Sequence, residues 1–293
     1  MRILLEAWSK AFQKQRPASS FSIQSLGSST APPALLAGTC EIAAMSRKME
    51  PEEISLFEQK FGYQPLALHA ALDAVAVVVH PDNPVQGLTL QQLDGIFSST
   101  HTCGRKDITQ WSQLFIGKAQ RPDIQLYGRN NLSGTYEFFR EKALCGGEYK
   151  QSMKQLPDSD DIEAAVEKDP AGIGYSGLGY RTNDVRVLAI ARNANDGYYK
   201  FYVDQFKDSD DLEKRYAWVY RGQYPLTRVL RFYINKDPDK PLTPLLKEFL
   251  RFVLSKKGQD IVHKTGYIPL TKSMLKSELK KLDPSYKPSW WNS

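Results

Sequence analysis

The stretch Ile124–Leu144, IQLYGRNNLSGTYEFFREKAL, decides how the chain is read. Its first residues form an apolar strand pattern that ends at Arg129 and Asn130. A polar turn follows, and Ser133-Gly134-Thr135 then opens an aromatic-rich helix through Tyr136, Phe138 and Phe139. A strand that feeds a helix through a short turn is the repeating step of an α/β protein.

The same step recurs outward from this stretch. MRILLEAWSKAFQKQ places Ile3, Leu4, Ala7, Trp8, Ala11 and Phe12 on one face of a first helix. FSIQSL reads as a short strand, GSSTAPPALLAG as a turn into a short helix, and CEIAAMS as a buried strand. EPEEISLFEQKFG is a helix with acidic residues in its first turn, where the helix dipole favours them. YQPLALHAALDAVAVVVHP gives one or two strands, with the near-continuous Val and Ala run of a strand buried on both faces. TLQQLDGIFSS and DSDDIEAAVEKDP are helices; GIGYSGLG, DVRVLAIA and PLTRVLRFYINK are strands. LTPLLKEFLRFVLSKKGQDIVHKTG is a pair of helices expected to break near Gly258. The implied class is α/β, with mainly parallel sheets flanked by helices.

Two of these helix starts share one chemistry. Gly27-Ser28-Ser29-Thr30 precedes a helix whose first turn admits Pro32 and Pro33, and Ser133-Gly134-Thr135 opens the other. A helix N-terminus offers unpaired N–H groups and about half a positive charge, which suits an anion. Hydroxyls add donors without charge, and Gly134 lets a ligand approach the backbone. Arg129 can add a bidentate, charge-assisted pair to a tetrahedral oxyanion. Taken singly, each cluster reads equally as an ordinary capped helix. PDSDD and KDSDD, at 157 and 207, lack the Gly and Glu of a calcium loop and read as helix caps.

Composition narrows the classes. The 293 residues suit two domains or one large one, and 39 basic against 33 acidic residues give a net +6 with no basic arm or stripe. A nucleic-acid binder is not indicated. No run reaches the roughly 18 apolar residues of a membrane span, because His69 and Asp73 interrupt the longest one. The histidines at 69, 80, 101 and 263 and the cysteines at 40, 103 and 145 show no metal-ligand spacing, so no metal and no cofactor is expected. Cys103 and Cys145 lie in loop-like contexts and can pair in an oxidising compartment; three free thiols is the alternative.

Taken together, GSSTAPPALLAGTCEIAAMSR, R-x-x-x-SGT, GIGYSGLGY, YPLTRVLRFYIN and FLRFVLSKKGQDIVHKTGYIPL resemble the phosphate-binding proteins of bacterial ABC transporters. The resemblance implies a two-lobed periplasmic-binding-protein fold, with two hinge crossovers and phosphate captured between the lobes. It implies lobe one at 1–78 and 228–293, and lobe two at 79–227. Carried onto matching positions, phosphate contacts fall on Ser28, Arg129, Ser133, Gly134 and Thr135, with Ser29 and Thr30 as secondary candidates. Many members carry an aspartate after the serine of MSRKM, accepting the proton of hydrogenphosphate. Here Ser46 is followed by Arg47, and Asp73 is the candidate carboxylate; a solvated strand-end aspartate is its alternative reading.

The resemblance further implies an inner-membrane permease as partner, a monomer, and a periplasmic location. It also implies a first strand and a Ser/Thr loop ahead of the first helix. The sequence starts at that helix with no export signal, so a chain complete as given would be cytoplasmic. Two other functions are carried forward. One is an adapter that keeps the fold without the ligand, with the basic tail and SWWNS as a partner surface. The other is an ester hydrolase using Ser133 or Ser176, although GYSGLG is not the G-x-S-x-G elbow.

Overall fold

A computed structural model describes residues 1–104, 106–114, 123–178, 184–283 and 285; SWWNS lies outside them. Helix α1 (Arg2–Gln13) opens the chain, and a 3-10 turn (Ser28–Thr30) leads into α2 (Ala31–Ala37). β1 (Ala43–Met45), α3 (Pro51–Phe61) and β2 (Leu66–Val79) follow. Then come β3 (Gly87–Thr89), α4 (Leu90–Phe97), β4 (Gln125–Arg129), α5 (Gly134–Ala143) and β5 (Lys154–Leu156). After α6 (Ser159–Glu167) the chain forms β6 (Gly172–Gly177), β7 (Arg186–Val187) and β8 (Ala189–Ala191). Short helices α7 (Leu212–Arg215) and α8 (Ala217–Tyr220) precede β9 (Thr227–Ile234). Helices α9 (Pro244–Val253), α10 (Lys256–Lys264) and α11 (Lys272–Leu282) complete an α/β fold.

The chain divides into two compact units, Met1–Asp73 with Val229–Ser293, and Ala74–Arg228. The first crossing lies inside β2, five residues before the expected 78/79 boundary. β2 is one unbroken strand of 14 residues, so no local signal marks the crossing point.

In the first unit β1 pairs antiparallel with β9, Ala44 opposite Phe232. Leu35, Met45, Met49, Phe57 and Tyr233 pack into one apolar cluster between this pair and helices α2 and α3. The apolar face of α1 is buried at Leu4, Trp8 and Phe12. Trp8 Nε1 donates to Gly258 O at 2.8 Å, so the one polar atom of that buried ring is satisfied. Residues 21–26 form no strand, contrary to the reading of FSIQSL. Phe21 packs against Phe249, ring centroids 5.0 Å apart, and a segment held on helix side chains leaves its backbone outside the sheet.

The C-terminal helices break at Leu254–Ser255, near Gly258 as expected, and Gly258 itself lies inside α10. Ser255 Oγ accepts the Gly258 N–H at 3.2 Å and caps α10. Gly258 is a close-approach residue, since a Cβ there would run into the carbonyls of Phe252 and Val253.

In the second unit the Val and Ala run of β2 is fully buried from Ala74 to Val79. Each such valine contributes about 1.5–3 kcal/mol by leaving water. β2 pairs antiparallel with β6, and β4 lies parallel to both β6 and β5. DVRVLAIA divides into two strands because Val187 pairs with Val78 of β2 while Ile190 pairs with Leu88 of β3.

Candidate functional site

β4 delivers Arg129 to the end of the sheet, and a tight turn follows in which the Ser133 N–H donates to Asn130 O at 3.1 Å. Ser133 is the N-cap of α5, and its Oγ accepts the Thr135 N–H at 3.1 Å. Ser133 and Thr135 are each 4% exposed, and Gly134 is buried beside them. Two small hydroxyls and the first amides of a ten-residue helix therefore lie together in a poorly hydrated place. That is where helix-end charge is worth most to an anion.

The platform beneath is aromatic. Phe139 of α5 stacks on Tyr175 of β6 at 4.1 Å, and Phe97 of α4 meets Phe139 edge-on at 5.3 Å. Tyr175 donates to the Tyr149 hydroxyl at 3.1 Å, and Tyr149 donates to Tyr136 O at 2.9 Å. Burial raises the pKa of both Tyr149 and Tyr175, so these phenols stay neutral donors. Gly128 fits tightly here: a Cβ would lie 2.5 Å from Met153 Sδ and 2.9 Å from Tyr175 Cε1. On the neighbouring strand face, burial and the hydrogen bond to Asp169 push Tyr127 up to about 12.

Arg129 Nη1 donates to Ser159 Oγ at 3.3 Å. Ser159 is the first residue of α6, behind the N-cap Asp158, whose Oδ1 accepts its N–H at 2.8 Å. Sequence reasoning missed Ser159 as a partner of the arginine. PDSDD was read for its caps alone, and the capping reading of Asp158 holds. Asp211 likewise accepts the Lys214 N–H at the start of α7.

In the first unit Gly27 has φ +109°, a conformation open to glycine, and turns the chain into the Ser28–Thr30 helix. Ser28 is 7% exposed. Its Oγ accepts the Ser46 N–H at 3.1 Å and shares a hydrogen bond with Ser46 Oγ at 3.2 Å. The structure therefore joins two sequence candidates, Ser28 and Ser46, into one hydroxyl pair. Thr30 Oγ1 donates to Gly27 O at 2.9 Å, which commits it to the turn, and Ser29 stands half-buried beside it.

Arg47 is buried, and it grips Glu53 at both oxygens, 2.7 and 2.8 Å, while donating to Lys48 O. Glu53 also accepts the Glu50 N–H, so this arginine is built into the start of α3. Asp73 is neither solvated nor at a strand start. It is 1% exposed, within β2.

Cys103 and Cys145 form a disulfide, Cα atoms 5.4 Å apart, tying the loop after α4 to the end of α5. Cys40 is a free thiol whose pKa burial raises. Ser176 is fully buried and donates to the Glu163 carboxylate at 2.5 Å. Among the described residues no cluster of His, Cys, Asp and Glu could hold a metal ion, and no helix is long and apolar enough to cross a membrane.

A family model described as a PBP superfamily domain matches residues 1–257. The phosphate-binding protein PstS of Pseudomonas aeruginosa PAO1 is 43% identical over 281 residues, which cover 95% of this chain and 83% of that protein. PstS of Staphylococcus haemolyticus is 26% identical, covering 95% and 81%. A crystal structure from Clostridium perfringens, described as a phosphate ABC transporter substrate-binding protein with bound phosphate, superposes with a TM-score of 0.70. It is 26% identical and covers 92% of this chain and 95% of its own. A phosphate transport receptor from Vibrio cholerae, 20% identical with a TM-score of 0.67, shares the fold. With a family match over most of its length and that identity to a full-length relative, the chain belongs to the PstS phosphate-binding proteins of the PBP superfamily.

Proposed function

We propose that this chain captures inorganic phosphate and delivers it to the permease of an ABC transporter. The observation that carries the reading is the buried Ser133-Gly134-Thr135 helix start, with Arg129 four residues before it on the preceding strand. The relatives named for phosphate binding support it. In this reading Arg129 supplies charge, Ser133, Gly134 and Thr135 supply donors, and Ser28 and Ser46 are the candidate donors of the first unit. Ser29 and Thr30 have a lesser part, the latter being engaged with Gly27.

Phosphate differs from sulfate by carrying a proton at neutral pH, and a buried acceptor distinguishes them. Asp73 is our candidate acceptor, because it is a buried carboxylate and because Arg47 stands where many members carry the aspartate. Arg47, engaged with Glu53, serves the fold in this reading.

The proposed action is binding without turnover. Ser176 is buried against Glu163 and Ser133 Oγ is engaged in capping, which argues against either as a nucleophile. A periplasmic monomer with a permease in the inner membrane completes the proposal, and the Cys103–Cys145 disulfide suits an oxidising compartment.

Isothermal titration with phosphate and with sulfate tests the reading. Heat with phosphate, saturating at one anion per chain, is expected. A folded sample that gives no heat with either anion sinks it.

A further inference from the structure

We propose that Arg228 is a second cation of the phosphate site, held in place by Phe138; the assignment rests on the functional reading above. Arg228 is the last residue of the second unit and is 7% exposed. Its guanidinium lies over the Phe138 ring, 5.6 Å from the centroid. Phe138 follows Gly134 by four residues and Thr135 by three within α5. Residues so spaced share one helix face, about 5.4 Å apart along the axis. The ring is therefore a shelf one turn behind the amides and hydroxyl that open the helix, and Arg228 rests on it.

An arginine is charged at every accessible pH, and a planar guanidinium over a ring face is restricted in its rotation. In a buried setting its field is weakly screened by water and salt. Arg129 leaves the strand on the N-terminal side of α5; Arg228 adds a fixed charge from the side of the helix. A tetrahedral oxyanion carrying two charges gains from both. The sequence did not single this residue out, because it lies in the apolar strand pattern of YPLTRVLRFY, where Arg228 and Arg231 both read as outward-facing side chains.

Phosphate titrations of the full chain and three variants test the assignment. Methionine packs against an aromatic ring at least as well as a lysine stem does. A purely structural Arg228 therefore predicts that Arg228→Met binds phosphate as well as, or better than, Arg228→Lys. The assignment predicts the reverse order: Arg228→Met weaker than wild type by about tenfold or more, and Arg228→Lys between them. Equal affinity in Met and Lys variants, or wild-type affinity in Arg228→Met, overturns it. Should Arg228→Met fail to fold, Arg228→Gln is held to the same order against lysine. A folded wild-type chain that takes up no phosphate overturns the functional reading and this one together. Wild-type binding with an unchanged Met variant overturns this one alone.

Discussion

Arg129 at the end of β4 donates from Nη1 to Ser159 Oγ at the start of α6, across 3.3 Å. The arginine proposed to face the anion is thereby braced from a second helix start. Charge-assisted bonds to a desolvated anion are the strong ones, so Arg129→Ala is expected to weaken phosphate binding by about a hundredfold. Ser159→Ala removes only the brace and is expected to cost a few-fold in affinity. Titration calorimetry on both variants reads the difference. A Ser159→Ala loss equal to that of Arg129→Ala would mean that Ser159 itself contacts the ligand.

Gly128 precedes Arg129, and its α-carbon leaves no room for a methyl group between Met153 and Tyr175. Overpacking at such a place costs about 1–3 kcal/mol, since either the thioether or the stacked ring must move. Gly128→Ala should lower the melting temperature and weaken phosphate binding together, because the displaced ring supports α5. A variant that melts like wild type would show that Met153 yields freely.

The Cys103–Cys145 disulfide joins positions 42 residues apart in sequence. Constraining a loop of that length in the unfolded chain stabilises the fold by about 2–4 kcal/mol. Replacing both cysteines by serine should lower the melting temperature, while phosphate affinity changes little, since the bridge sits at the far end of α5 from Ser133. An unchanged melting temperature contradicts this.

Much of this could be read from residues, and the parts that could not share a physical cause. The helix starts at Ser133, Asp158 and Ser255 are local hydrogen-bond devices, written in three or four adjacent residues. Gly258 shows the limit: glycine reads as a break, but here it serves the approach of two helices, which no local pattern records. FSIQSL has a strand composition and no strand, because what it packs on is decided by Phe249, more than 200 residues away. Asp73 looked like a strand end for the same reason, since a charge in an apolar run suggests solvent until the run is seen to be continuous. Of the candidate site, the donors were legible and their supports were not. Ser159 and Tyr175 reach the site from other elements, through contacts distant in sequence.

Asp107 offers a pH-dependent test of one contact between residues distant in sequence. Its carboxylate accepts from Lys150 Nζ at 2.6 Å and lies 3.4 Å from His101 Nε2. The Lys150 ammonium first, and His101 to a lesser degree, hold its pKa below the usual carboxylate value. Lys150 also donates to Gly95 O and Ile108 O, so the pair fastens the 106–108 segment to the end of α4. A folded-state value below the unfolded one of about 3.9 gives stability that is present at neutral pH. That stability is lost as pH falls through the depressed folded value. The carboxylate is 53% exposed, and solvent screening keeps the effect under about 1 kcal/mol. Asp107→Asn should therefore melt slightly below wild type at neutral pH, and the two melting curves should converge in acid. A gap that keeps its size from neutral pH into acid would show that the asparagine disturbs packing, and that the ion pair is not what the carboxylate contributes.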